Sequence, residues 1–181
     1  MTTARHKDNS GSAEPLRLFF ALCPDPATRC ALAALQQHVA GRKVPLENLH
    51  LTLAFLGNQA HTHLPALQTI LHGLTHSPLQ LHIDQLGFFT APRVAWAAPS
   101  VVPAPLLILQ QTLWRALQEA QIRLKPVAGF RPHITLARNA DKPSHMLKTT
   151  VSWTVNHIAL IESLPGPDGP TYHVRDERYW S

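Results

Sequence analysis

Asn48 to Gly57 reads NLHLTLAFLG, and Arg131 to Arg138 reads RPHITLAR. Each is a short β-prone run, and period-two alternation of apolar and polar residues marks a half-buried strand. In the first, Leu51, Leu53 and Phe55 form the predicted inward face, which leaves His50 and Thr52 on the other. In the second, His133 and Thr135 repeat that pair 83 residues later. Residues i and i+2 of a strand share a face, so each run presents one imidazole beside one hydroxyl on a mount anchored by its apolar side. A lone histidine on a strand is usually a solvated residue. The same His-x-Thr-Leu sequence in two matching strand contexts points instead to two halves of one site.

The rest of the chain arranges itself around these strands. LRLFFALCP (16–24) is a β-rich run closed by proline, and DPATRCALAALQQHVA (25–40) follows as a helix with Asp25 as N-cap, Pro26 at its first position and an apolar stripe of Ala31, Leu32 and Leu35. A basic link, GRKVPLEN, leads into the first His strand. Leu64, Leu67, Ile70, Leu71 and Leu74 lie at helical spacing. Strands are expected over LQLHIDQLGFF (79–89) and RVAWAA (93–98), joined by a turn around Thr90 to Pro92. The longest helical pattern spans 104–122, with Leu106, Leu109, Leu113 and Leu117 on one face. After the second His strand, SWTVNHIALIESL and TYHVRDERYW read as a closing hairpin around PGPDGP. This order predicts an α+β protein with largely antiparallel sheets. The two strand-helix-strand units, each ending in a His-x-Thr strand, predict duplicated lobes about a pseudo-twofold axis. Met1 to Pro15 is polar and aperiodic, a tail expected to be disordered, with one domain over residues 16–181.

Composition bounds the function. A chain of 181 residues buries enough surface to fold as one domain or two small lobes with a shared core. Cys23 and Cys30 lack CxxC spacing and follow no apolar leader, which is consistent with reduced thiols in a cytoplasmic protein. No apolar run approaches the roughly 18 residues of a membrane span. The formal net charge of +5 favours polyanionic partners. No repeated apolar seam points to an oligomer, so a monomer is expected.

Imidazole titrates near neutrality, so of two facing histidines one can accept a proton while the other donates one. Phosphoryl transfer needs that division, because a nucleophile loses a proton as a leaving oxygen gains one. Thr52 and Thr135 can hydrogen-bond non-bridging phosphate oxygens. Arg138 could add a forked guanidinium, but strict alternation puts it on the face of Ile134 and Leu136, and it reaches the histidine side only if the strand bulges, ends or twists. His72 with His76, and His61 with His63, have chelating spacing but no carboxylate or cysteine companion, so no metal site is assigned. GxGxxG, GxxxxGK[ST] and GxSxG are absent, so dinucleotide, ATP and serine-hydrolase chemistry find no local support. Phe19, Phe20, Phe88, Phe89, Phe130 and the tryptophans could stack a base. From these, Phe20 and Phe130 are taken as the stacking candidates.

RLFFAL (17–22), LENLHLTLAFLG (46–57) and RPHITLAR together closely resemble the two-histidine phosphoesterases, and within them the bacterial and archaeal RNA 2′,3′-cyclic phosphodiesterases, formerly called 2′-5′ RNA ligases. The resemblance runs from about Leu16 to the C-terminus. It implies a bilobal α+β fold with a central cleft and outer helices. It further implies metal-independent, cofactor-free hydrolysis of a 2′,3′-cyclic phosphate at an RNA or nucleotide end, leaving a 2′-phosphate. By resemblance His50 and His133 are the catalytic pair, with His50 as acid to the 3′ leaving oxygen and His133 as base to water, although the reverse fits the sequence equally. Thr52, Thr135 and Arg138 match phosphate-binding positions. Two alternatives stand beside hydrolysis: 2′-5′ ligation by the same site in reverse, and a non-catalytic module that binds RNA ends.

Overall fold

The structure is a computed structural model that describes residues 14–124, 129–144, 147, 149–167 and 169–181. The tail expected at residues 1–15 therefore lies, except for Glu14 and Pro15, outside the described residues. In chain order the elements are β1 (Leu16–Leu22), α1 (Pro26–Leu35), β2 (Arg42–Lys43), β3 (Leu51–Gln59), α2 (Leu64–Gly73), β4 (Leu79–Ile83), β5 (Gln85–Phe89), β6 (Val94–Ala98), α3 (Ala104–Glu119), β7 (Ile134–Arg138), β8 (Val151–Val155), β9 (His157–Leu164) and β10 (Thr171–Tyr179). The fold is α+β with antiparallel sheets, as the pattern predicts.

The helices form where the sequence places them. Asp25 caps α1 by accepting from the Thr28 N–H at 3.0 Å and the Thr28 hydroxyl at 2.6 Å, with Pro26 in the first turn. Leu32 and Leu35 are buried along α1, whereas Ala31 is exposed, so the stripe is narrower than expected. In α3, Leu106, Leu109, Leu113 and Leu117 are all buried, and in α2 Leu67 and Leu71 are. α1 packs against β7 and β8, α2 against β9 and β10, and α3 against β3.

One sheet runs β10-β9-β1-β3-β7-β6-β5, with β2 also paired to β7, and every pairing is antiparallel. The two His strands touch at a single registered pair, Leu51 opposite Ile134. Four strands lie on each side of that pinch. In β1 the alternation is complete: Leu16, Leu18, Phe20 and Leu22 enter the main core, while Phe19 and Ala21 join a smaller apolar cluster with Ala159 and Ile161 on the opposite face. That second face is the one that lines the cleft.

Two strands expected to be continuous are broken. Residues 79–89 divide at Asp84, whose N–H donates to the Ala98 carbonyl at 3.2 Å and whose carboxylate accepts from the Ser100 N–H and hydroxyl at 2.7 and 2.6 Å. These bonds hold the Asp84 carboxyl below the usual carboxylate range. The closing segment divides at Asn156, whose carbonyl accepts from the Trp180 N–H at 2.8 Å. β4 and β8 leave the main sheet at these corners and pair with each other. The basic link contributes β2.

Both His strands carry a bulge at the same place. Along β3, Phe20 faces Ala54 and the next residue, Ala21, faces Thr52, which leaves Leu53 as the extra residue. Along β7, Ala95 faces Ala137 and Trp96 faces Thr135, which leaves Leu136 as the extra residue. Leu53 and Leu136 each stand three residues after their histidine. An extra residue reverses the facing of the residues that follow it, on β3 as far as a second extra residue at Leu56. Phe55 therefore turns away from the core, contrary to the period-two expectation, and is half-buried on the cleft face against the Phe19 cluster.

Candidate active site

A cleft of about 1230 Å³ opens where the halves splay apart, and His50, Thr52, His133, Thr135 and Arg138 all line it. The two strands thus bring together every residue assigned to acid-base work or phosphate binding. The bulge at Leu136 resolves the parity conflict for Arg138, which shares the cleft with Thr135. Pairing with β2 fixes this end of β7, since Arg42 faces Arg138 and Lys43 faces Ala137. Gly41 precedes that pairing with φ +98°, and a Cβ there would lie 2.7 Å from the Arg138 carbonyl oxygen, so glycine permits the close approach.

The two imidazoles are held alike. His50 Nδ1–H donates to the Asn48 carbonyl at 2.7 Å, and His133 Nδ1–H donates to the Arg131 carbonyl at 2.7 Å. A carbonyl can only accept, so each neutral ring carries its proton on Nδ1 and leaves Nε2 with a lone pair. The Thr52 hydroxyl sits 3.1 Å from His50 Nε2. The His50 pKa is lowered to about 4, chiefly by burial, which the hydrogen bond to Asn48 opposes and the charges of His133 and Arg138 reinforce. Burial also lowers the His133 pKa, and Arg138 adds to the effect. Both rings are therefore predominantly neutral at pH 7 in the free protein.

Aromatic side chains fix both rings from the flank. His50 lies 5.0 Å from Phe19 and 5.2 Å from Tyr172, measured between ring centroids, and His133 lies 5.0 Å from Phe89 and 6.4 Å from Trp96. Trp96 extends across Gly87, its partner on β5, where an added Cβ would come within 2.0 Å of the indole. Asn48 serves twice, since its Nδ2 donates to the Pro170 carbonyl at 3.0 Å and ties the β9-β10 loop to the site. Sequence reasoning missed Asn48 and Tyr172. Asn48 acts mainly through its backbone, and Tyr172 stands on a distant strand with no local motif.

The stacking candidates do not hold. Phe20 is 0 % exposed in the main core and has no face for a base, because alternation in β1 directs Phe19, not Phe20, into the cleft. Phe130 is half-buried against the main core and does not line the cleft.

Other sequence candidates lie elsewhere. His72 Nε2 meets Asp176 Oδ2 at 2.9 Å, His63 Nδ1 meets Gln59 Oε1 at 2.9 Å, and His61 Nε2 donates to the Glu14 carbonyl at 2.9 Å. Among the described residues no three His, Cys, Asp or Glu side chains cluster as metal ligands. Both cysteines are free, with Cys23 half-buried and its thiol pushed up to about 12 by burial, whereas Cys30 is exposed. No helix among the described residues is long and apolar enough to cross a membrane.

Two mirrored imidazoles, two hydroxyls and a guanidinium share one cleft, a set that suits a phosphoesterase, an enzyme of the hydrolase class. A family model described as the 2′-5′ RNA ligase superfamily matches residues 24–167, and the chain belongs to that family. It is 31% identical over 180 residues to an RNA 2′,3′-cyclic phosphodiesterase of Thermus thermophilus, covering 90% of this chain and 89% of the relative. An Escherichia coli protein of the same name is 31% identical over 146 residues, covering 78% of this chain and 82% of the relative. The apo crystal structure of E. coli LigT superposes with a TM-score of 0.81 at 27% identity, covering 93% of this chain and 99% of LigT. A crystal structure of LigT complexed with 3′-AMP gives a TM-score of 0.79, with the same identity and coverage.

Proposed function

We propose that this enzyme hydrolyses terminal 2′,3′-cyclic phosphates of RNA or nucleotides to 2′-phosphates, using His50 and His133 as a metal-independent acid-base pair. The observation that carries the reading is the mirrored pair itself: two His-x-Thr strands joined at Leu51 and Ile134, each with Nδ1 tied to a backbone carbonyl and Nε2 left for proton exchange. The names of the relatives support the substrate class.

The reaction transfers one proton at each end of an in-line displacement. A water oxygen bonds to phosphorus as a neutral Nε2 removes its proton, the P–O3′ bond breaks, and the opposite Nε2–H protonates O3′. With O3′ bound on the β3 side, His50 is the acid and His133 the base. The identical tethering of the rings makes them competent for either part, so the side on which O3′ binds determines the assignment. A bound anionic phosphate favours the imidazolium form and offsets the desolvation that keeps both rings neutral in the free protein. Thr52, Thr135 and Arg138 bind the non-bridging oxygens, and Arg138 stabilises charge that builds there in the transition state. This set supplies imidazole, hydroxyl and guanidinium but no carboxylate, a donor set suited to an oxyanion and poor for a hard cation.

The test is the product. Incubating an oligoribonucleotide bearing a 2′,3′-cyclic phosphate with the protein in EDTA and without ATP should yield a 2′-phosphate end, read by phosphorus NMR. A 3′-phosphate product, or dependence on an added metal, would overturn the proposal.

A further inference from the structure

The repeated bulge has a second consequence, on β3. The position five residues after the histidine turns to the cleft on both strands, and it is Arg138 on β7 but Phe55 on β3. The β3 side nonetheless has a cation there. Arg17 of β1, registered opposite Asn58, places its guanidinium carbon 4.9 Å from the centroid of the Phe55 ring. Arg17 lines the same cleft as the histidines, is exposed, and forms no ion pair among the described residues. A cation–π contact fixes the plane of a guanidinium without neutralising its charge. Arg17 is mounted opposite Asn58, six positions beyond Thr52, whereas Arg138 stands only three beyond Thr135, so the Arg17 guanidinium sits farther along the cleft, toward the next phosphate of a nucleotide chain and away from the reacting one.

We infer that Arg17, held over Phe55, is a second phosphate-binding position that takes the internucleotide phosphate on the 5′ side of the terminal nucleotide. The inference rests on the phosphodiesterase reading and narrows it: oligoribonucleotide ends, rather than cyclic mononucleotides, are the preferred substrates. The companion position to Arg138 therefore binds the chain where Arg138 binds the reacting group.

The experiment compares three substrates in wild type and Arg17→Ala: a nucleoside 2′,3′-cyclic monophosphate, a dinucleotide ending in the cyclic phosphate, and the same dinucleotide with a neutral methylphosphonate linkage. Wild-type kcat/KM should be about 10-fold higher on the charged dinucleotide than on either other substrate. Arg17→Ala should lose about 10-fold more on the charged dinucleotide than on the mononucleotide, and Arg17→Lys should recover part of the difference. The slope of log affinity against log salt for the dinucleotide should become shallower by about 0.7 in Arg17→Ala. Equal losses on mononucleotide and dinucleotide, or equal rates on charged and neutral linkages, would overturn the inference. Equilibrium binding of a dinucleotide ending in a 2′-phosphate, compared in the same two proteins, needs no turnover. It judges Arg17 even if wild type fails to hydrolyse any substrate, an outcome that would refute the phosphodiesterase reading alone.

Discussion

Thr135 and Arg138 face one cleft although they stand three positions apart on a single strand, because Leu136 is an extra residue in the register between β6 and β7. A regular strand would turn the guanidinium into the core. The same device at Leu53 brings Phe55 to the cleft on β3, so duplication extends beyond the His-x-Thr sequence to the irregularity that follows it.

Arg138→Ala should lower kcat/KM on a cyclic-phosphate oligonucleotide by 100-fold or more, about 3 kcal/mol of transition-state stabilisation. Arg138→Lys should recover only part of it, since an ammonium lacks the planar fork. Steady-state kinetics on the three proteins decide the point, and an Arg138→Ala enzyme within a few-fold of wild type would remove Arg138 from the mechanism.

The pH profile follows from two depressed histidines. Productive free enzyme holds one proton on the pair, so the basic limb of kcat/KM should fall below the ordinary imidazole value near 6.5, and the acidic limb should approach 4. Arg138 lowers both pKa values, so the basic limb should move to higher pH in Arg138→Ala even as the rate drops. A basic limb above pH 7 in kcat/KM, unmoved by that substitution, would contradict the electrostatic account.

Much of this was legible in the sequence. The leucine stripes of α2 and α3, the Asp25-Pro26 start of α1, the α+β order and the convergence of both His-x-Thr pairs follow from local pattern, because burial on one helix face or strand face is written in nearest-neighbour spacing. The remainder depends on partners that local spacing cannot reveal. Phe55 and Phe20 were misplaced for related reasons: a bulge is a property of a strand pair, and in a Phe-Phe doublet only the neighbouring strands decide which ring meets the core. The breaks at Asp84 and Asn156 likewise arise from bonds to Ala98, Ser100 and Trp180, far away in sequence.

Acid should destabilise the protein through His50. Its folded pKa of about 4 lies below the unfolded value near 6.5, so the unfolded chain binds more protons between those limits. The contribution is complete above pH 6.5 and is lost as the pH falls toward 4, on the order of 1–3 kcal/mol. Denaturant titrations at pH 7 and 4.5 should show a smaller loss for His50→Asn than for wild type. An equal loss would mean that His50 is not desolvated.

Gly87→Ala tests the support of the second imidazole. An added methyl would overlap the Trp96 indole, which flanks His133, so stability should fall by about 1–3 kcal/mol and kcat/KM should drop roughly 10-fold. Thermal melts and kinetics on the same preparation check both. An unchanged melting temperature would show that Trp96 can move without cost.

The most direct test of two halves forming one site is kcat/KM on a cyclic-phosphate oligoribonucleotide for wild type, His50→Ala, His133→Ala and the double variant. Groups that act as one acid-base unit are not additive. Each single substitution should cost on the order of 1000-fold or more, and the double should be scarcely worse than either. Substantial activity in one single variant, or losses that multiply in the double, would mean that the two strands do not share one chemical step.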